Sequence, residues 1–156
     1  MGVLIDTSVL IDHERGRLDL EERIRGREEE TFFLSVVTAS ELLHGVHRAK
    51  DRVTRARRSA FVEGVLGSMP LLPIEIATAR MHARLWADLA EEGCVIGAHD
   101  LWLAAVCLAH GLRMATANVR EFGRVPALEV EDWSSSPRAG VGDGQMGGRP
   151  RKRPPE

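Results

Sequence analysis

The stretch "VLIDTSVLID", residues Val3 to Asp12, sets an acidic residue where an apolar strand pattern stops and a helical pattern starts. Val3, Leu4 and Ile5 form the uninterrupted apolar run of a strand buried on both faces. Thr7 or Ser8 can then cap a helix that continues through Leu10 and Ile11. Asp6 is thereby placed at a strand's carboxyl end. In open α/β sheets this is the edge where ligands bind, because the loops leaving it open into a crevice. A lone Asp is also a common cap and turn residue, so the reading turns on whether other carboxylates converge on it.

Further along the chain, strand and helix patterns alternate. Residues 14–30 are charged, with Leu18, Leu20 and Ile24 suggesting a modest amphipathic helix. "TFFLSVV", residues 31–37, is β-branched and aromatic, as a second buried strand would be. "TASELLHGVHRA" follows with a helical stripe of Leu42, Leu43 and Val46, and residues 52–68 continue with another helix. "PLLPI" reads as a short strand bracketed by prolines. Residues 75–92 predict a longer helix that Gly93 stops, and the apolar helix 100–110 ends at Gly111. "LRMAT" is a strand, "ANVREF" a turn or short helix, and "ALEVED" a last strand before Trp133. This alternation predicts an α/β fold with a parallel sheet wrapped on both faces.

At 156 residues and 44% hydrophobic content, the chain suits one domain that buries about two-thirds of the surface its unfolded form exposes. The formal net charge of −2 does not mark a nucleic-acid binder. Its distribution is uneven: residues 134–156 hold five basic and two acidic side chains, with five glycines and four prolines. Such a segment buries too little to offset its ordering entropy. The expected organisation is therefore a folded domain over residues 1–133 and a disordered, basic tail over 134–156. Cys94 and Cys107 match no zinc spacing and read as reduced thiols. No apolar run approaches the roughly 20 residues of a membrane span, and no signal segment is evident, so the expected location is the cytoplasm.

Three acidic positions bear on the opening question. Asp6 ends the first strand, Glu41 lies one turn into the helix after the second, and Asp100 opens the apolar helix before "LRMAT". In a parallel sheet every strand-to-helix junction faces one edge, so the three can meet. Each also has a plain structural explanation: "TASE", Thr38 to Glu41, has the form of a capping box, Asp100 suits a first helical turn, and Asp6 suits a loop. Gathered without arginine or lysine, they would raise each other's pKa. A hard divalent cation resolves that, since Mg²⁺ takes oxygen ligands and keeps several waters. Such an ion polarises a phosphate and activates water for in-line attack.

Together, "VLIDTSVLID", "SVVTASELLHGV" and "IGAHDLWLAAVCLAHGLRMATANVREF" resemble the PIN-domain family, most closely its bacterial VapC branch of type II toxin–antitoxin ribonucleases. The resemblance covers about residues 3–133. It implies a PIN-like three-layer α/β/α sandwich around a parallel sheet, and RNA cleavage dependent on Mg²⁺ or Mn²⁺. It also implies a homodimer and a cognate antitoxin protein. The family's acidic positions carry over onto Asp6, Glu41 and Asp100, and its fourth position falls on Asn118, where many members have a carboxylate. On this reading Asp6 and Asp100 ligate the metal, Glu41 positions or deprotonates the attacking water, and Asn118 completes the shell. Cleavage would leave a 5′-phosphate and a 3′-hydroxyl. Glu121 reads as a surface residue before a compensating carboxylate. Thr7, Ser8 and Thr116 are either caps or groups that orient a carboxylate or a metal-bound water.

Arg48, Lys50, Arg52, Arg55, Arg57 and Arg58 form either an RNA-phosphate patch or a solvated helix face. His44 and His47 lack further ligands for a metal site and read as surface or interface residues. A haloacid dehalogenase phosphatase would need a second Asp where Ser8 stands, and a receiver domain would need a late Lys, which the chain lacks between Lys50 and Lys152. The alternative from another class is a catalytically silent PIN-like RNA-binding module, which Asn118 keeps open.

Overall fold

The computed structural model describes residues 1–134. Among these, the order is β1 (Val3–Ile5), α1 (Thr7–Glu14), α2 (Leu20–Ile24), β2 (Phe32–Ser35), α3 (Val36–Arg48), α4 (Arg52–Ser68), β3 (Leu71–Leu72), α5 (Ile76–Glu91), α6 (Ala98–His110), β4 (Arg113–Thr116), α7 (Val119–Phe122) and β5 (Val130–Asp132). The strands form one sheet in the order β3-β2-β1-β4-β5, with every pairing parallel. β1 is central, flanked by β2 with Val3 opposite Phe32 and by β4 with Ile5 opposite Ala115. Because all strands point one way, the residues following β1, β2 and β4 emerge on a single edge.

The sheet's period of two sorts its side chains into two cores. Val3 and Ile5 face Val9, Leu10, Leu34, Leu42, Val46 and Val62, under helices α1 to α4. Leu4 and Met114 point the other way, into Leu103, Val106, Leu85, Leu89 and Phe122 of α5 to α7. A three-layer α/β/α sandwich results, as the sequence predicts. α6 is apolar almost all round, with six buried residues between Leu101 and Cys107. Gly111 then ends it in the left-handed conformation at φ 64°, where a Cβ would be strained.

Two expectations are corrected. The second strand stops at Ser35, because the Ser35 side chain accepts from the Val37 amide at 3.1 Å and starts α3 at Val36; tertiary context overrides the β-preference of the two valines. The charged stretch 14–30 is helical only over α2 in its interior, since Gly16 and Gly26 take φ +70° and +78° on either side of it. The expected tail begins at Ser134, and the rest of it lies outside the described residues. No helix among them is long and apolar enough to cross a membrane.

Toward the sheet's amino edge, Arg27 donates to Glu30 and Glu131, and Arg113 pairs with the same two carboxylates. The Arg27 guanidinium also lies 5.2 Å from the Phe32 ring centroid and 5.7 Å from that of buried Trp133, a cation–π arrangement. Hydrogen bonds from Arg27 hold both glutamates below the usual carboxylate range.

Ile5 is fully buried directly before Asp6. Ile5→Ala is expected to lower the unfolding free energy in urea by about 2–5 kcal/mol, and a loss below ~1 kcal/mol would show that this strand end is not tightly packed.

Candidate functional site

The carboxyl edge is built from three junctions. β1 runs into Asp6, which takes extended geometry (φ −72°, ψ 150°) at the N-cap of α1 without capping it through its side chain. That corrects the expectation that Thr7 or Ser8 caps the helix. Both hydroxyls serve the carboxylates instead. Ser8 Oγ donates to Asp6 Oδ2 at 2.6 Å, and Thr116 Oγ1, from the end of β4, donates to the same oxygen at 2.8 Å. Asp6 is only 4% exposed, and its Oδ1 has no hydrogen-bond partner among the described residues.

α3 supplies Thr38 and Glu41 on one helical face. Thr38 is fully buried and does not form the capping box that "TASE" suggests, because Ser35 has already capped the helix. Thr7 Oγ1 lies 3.3 Å from Thr38 Oγ1 and donates to Glu41 Oε1 at 3.1 Å. α6 supplies Asp100 from its first turn. His99 is largely exposed, with Nδ1 3.8 Å from Glu41 Oε2.

The electrostatics of this edge are opposite to those of the amino edge. Burial first, then the charges of Asp6, Glu121 and Glu41, push Asp100 up to about 6. Glu41 is also raised, by burial against the opposing hydrogen bond from Thr7, with Asp6 adding to the rise. No arginine or lysine pairs with Asp6, Glu41 or Asp100 among the described residues. Asp6, Glu41 and Asp100, the three acidic positions read from the sequence, thus come within electrostatic range of one another.

Asn118 sits differently. It is exposed, its side chain caps nothing, and its backbone N–H donates to Thr116 Oγ1 at 2.8 Å. Glu121, read from sequence as a surface residue, is half-buried. Its Oε1 accepts from the Gly97 amide at 3.1 Å at the start of α6, and its charge acts on Asp100. The signal in the sequence was its position one turn beyond Asn118. Ser8 and Thr116 gained their importance from sheet pairing, since 108 residues separate them.

The donor set is all oxygen and surplus in negative charge, which suits a hard divalent cation. Among the described residues no three His, Cys, Asp or Glu side chains are grouped closely enough to hold a metal ion by themselves; an ion here would be held by fewer protein ligands, with water completing its shell.

The class of protein is thus a parallel α/β/α sandwich with uncompensated carboxylates gathered at the carboxyl edge of its sheet. The PIN domain family model matches residues 3–128. The chain is 35% identical over 135 residues to Ribonuclease VapC1 of Rickettsia felis, covering 86% of this chain and 98% of that protein. It is 44% identical over 115 residues to Ribonuclease VapC5 of Mycobacterium tuberculosis, covering 74% and 81%. The structure of VapBC-5, a member of the VapBC family of toxin-antitoxin systems from Mycobacterium tuberculosis, superposes with a TM-score of 0.68 at 34% identity, covering 85% of this chain and 98% of that one. The chain belongs to the PIN-domain family, in its VapC branch.

Because Asp100 holds its proton more tightly folded than unfolded, its ionisation costs stability as pH rises through about 6. Asp100→Asn in EDTA is expected to melt above the parent near neutral pH, with the gap closing as pH falls below the ordinary Asp range. A parent that melts as high as the variant at neutral pH would contradict the charge crowding.

Proposed function

We propose that the chain is a divalent-metal-dependent endoribonuclease and the toxin of a type II toxin–antitoxin pair. The observation that carries this is the convergence of Asp6, Glu41 and Asp100 at one sheet edge, with Asp100 pushed up to about 6 and no arginine or lysine paired with them among the described residues. The names of the VapC ribonucleases that the chain resembles support the same reading.

Asp6 and Asp100 would hold Mg²⁺ or Mn²⁺, with Ser8 and Thr116 fixing the orientation of the Asp6 carboxylate by donating to its Oδ2. When bound, the ion polarises the scissile phosphate and lowers the pKa of its water. Glu41 orients the attacking water and accepts its proton, a role that a raised pKa favours near neutral pH. Thr7 sets the Glu41 carboxylate by its hydrogen bond. Asn118 adds a neutral oxygen at the rim, and Glu121 adds charge from the amino-terminal end of α6. Water attacks phosphorus, the P–O3′ bond breaks, and the products carry a 5′-phosphate and a 3′-hydroxyl.

A cognate antitoxin is the inferred protein partner, on the likeness to VapBC-5. A homodimer is inferred too, and the 64%-exposed Trp86 on α5 offers it an apolar face. Residues 134–156 are proposed as a tail separate from the nuclease domain.

Purified protein is expected to cut total cellular RNA into discrete fragments with Mg²⁺ or Mn²⁺, and EDTA should stop it. Asp6→Asn or Asp100→Asn should lower cleavage by at least about 10²-fold while circular dichroism stays unchanged. Folded, antitoxin-free parent that cuts nothing would favour the silent RNA-binding module. A second expected outcome is that the parent expressed alone arrests bacterial growth and Asp6→Asn does not; equal growth would remove the toxin assignment.

A further inference from the structure

α1, α3 and α4 line a cleft of about 780 Å³ whose wall includes Glu41 of the carboxylate site. Glu41 and Arg48 lie on its α3 wall, seven residues apart, which is about 10 Å along a helix axis. Arg57 and Arg58 line it from α4, and Glu14 and Arg15 from α1. The arginines divide into two kinds. Arg58 is committed to the fold, donating to the Gly45 carbonyl at 3.3 Å and lying 3.7 Å from Glu14. Arg15, Arg48 and Arg57 are exposed and have no carboxylate partner among the described residues.

The basic run seen in the sequence is thereby sorted. Arg55 is used at the end of α3, where it donates to the Ala49 carbonyl at 2.8 Å, and Lys50 and Arg52 lie outside the cleft's lining. Arg15, some 30 residues away in sequence, takes their place. The α3 helix dipole accounts for Arg48 at that helix's C-terminal turn, but it does not account for Arg57 in the interior of α4.

We propose that Arg15, Arg48 and Arg57 form the phosphate-binding track along which single-stranded RNA leads into the carboxylate site. This rests on the nuclease reading and assigns its substrate contacts. The described residues carry an excess of acidic over basic side chains, so the domain as a whole repels a polyanion. RNA is held only where positive charge is local and unspent, and this cleft offers that directly beside Glu41. Guanidinium groups match phosphate oxygens in geometry as well as charge. The three sit at exposed positions with no structural partner to lose, so their removal leaves the fold in place.

The test is fluorescence anisotropy of a 5′-labelled, mixed-sequence single-stranded RNA oligonucleotide in EDTA, titrated across KCl concentrations. Arg48→Ala/Arg57→Ala is compared with Arg52→Ala/Arg80→Ala, which removes the same charge from exposed positions outside the cleft. The cleft pair is expected to reduce the slope of log affinity against log salt by about 1.4, for two lost single-strand phosphate contacts. Its affinity should fall on the order of tenfold, while the control pair keeps the parent slope. Equal losses in both pairs, or none in either, would overturn the track. Parent that cuts RNA with metal while the cleft pair binds as the parent does would remove the track and leave the nuclease standing. Parent that neither cuts nor binds RNA would remove both. Unchanged RNA binding together with lost inhibition by the antitoxin would assign the cleft to the protein partner instead.

Discussion

The carboxylate of Asp6 is buried at the end of the central strand, and the site is organised around that burial. A buried carboxylate needs partners, and here they are the hydroxyls of Ser8 and Thr116 rather than a cation. Hydroxyls fix orientation without cancelling charge. Asp6 therefore remains an electrostatic source that raises both Glu41 and Asp100. The constraint reaches back into the fold: Thr116 is in place because β4 pairs with β1, bringing Ile5 opposite Ala115.

The two edges of the sheet show the same residue types in opposite states. Near the amino edge, Glu30 and Glu131 are matched by Arg27 and Arg113, and both carboxyls are lowered. At the carboxyl edge, Glu41 and Asp100 lack such matches and are raised. Matched charge ties strands, loops and the Trp133 ring together. Surplus charge costs stability in the free protein and marks the place where a cation or a proton has work to do. The arginines near the cleft divide in a similar way: Arg55 and Arg58 are spent on the Ala49 and Gly45 carbonyls, while Arg15, Arg48 and Arg57 line the cleft beside Glu41 without a carboxylate partner among the described residues.

The sequence reading erred at helix starts. "TASE" satisfies the pattern of a capping box, yet the chain caps α3 three residues earlier at Ser35. Starting at Val36 puts Thr38 in the core against Thr7 and sets Glu41 within reach of the Thr7 hydroxyl. The helix expected across the charged stretch likewise contracted to α2, because two glycines beside it take positive φ.

By itself the sequence determined the alternation of strands and helices, the parallel sheet, and the three acidic positions. Those follow from apolar periodicity and from the rule that parallel strands share one carboxyl edge. The tertiary structure decided which hydroxyls serve which carboxylates, brought the charge of Glu121 to bear on Asp100 at the start of α6, and separated structural arginines from free ones. Hydrogen bonds and Coulomb interactions act over a few ångströms between groups as far apart in the chain as Asp6 and Thr116. Only folding sets those distances.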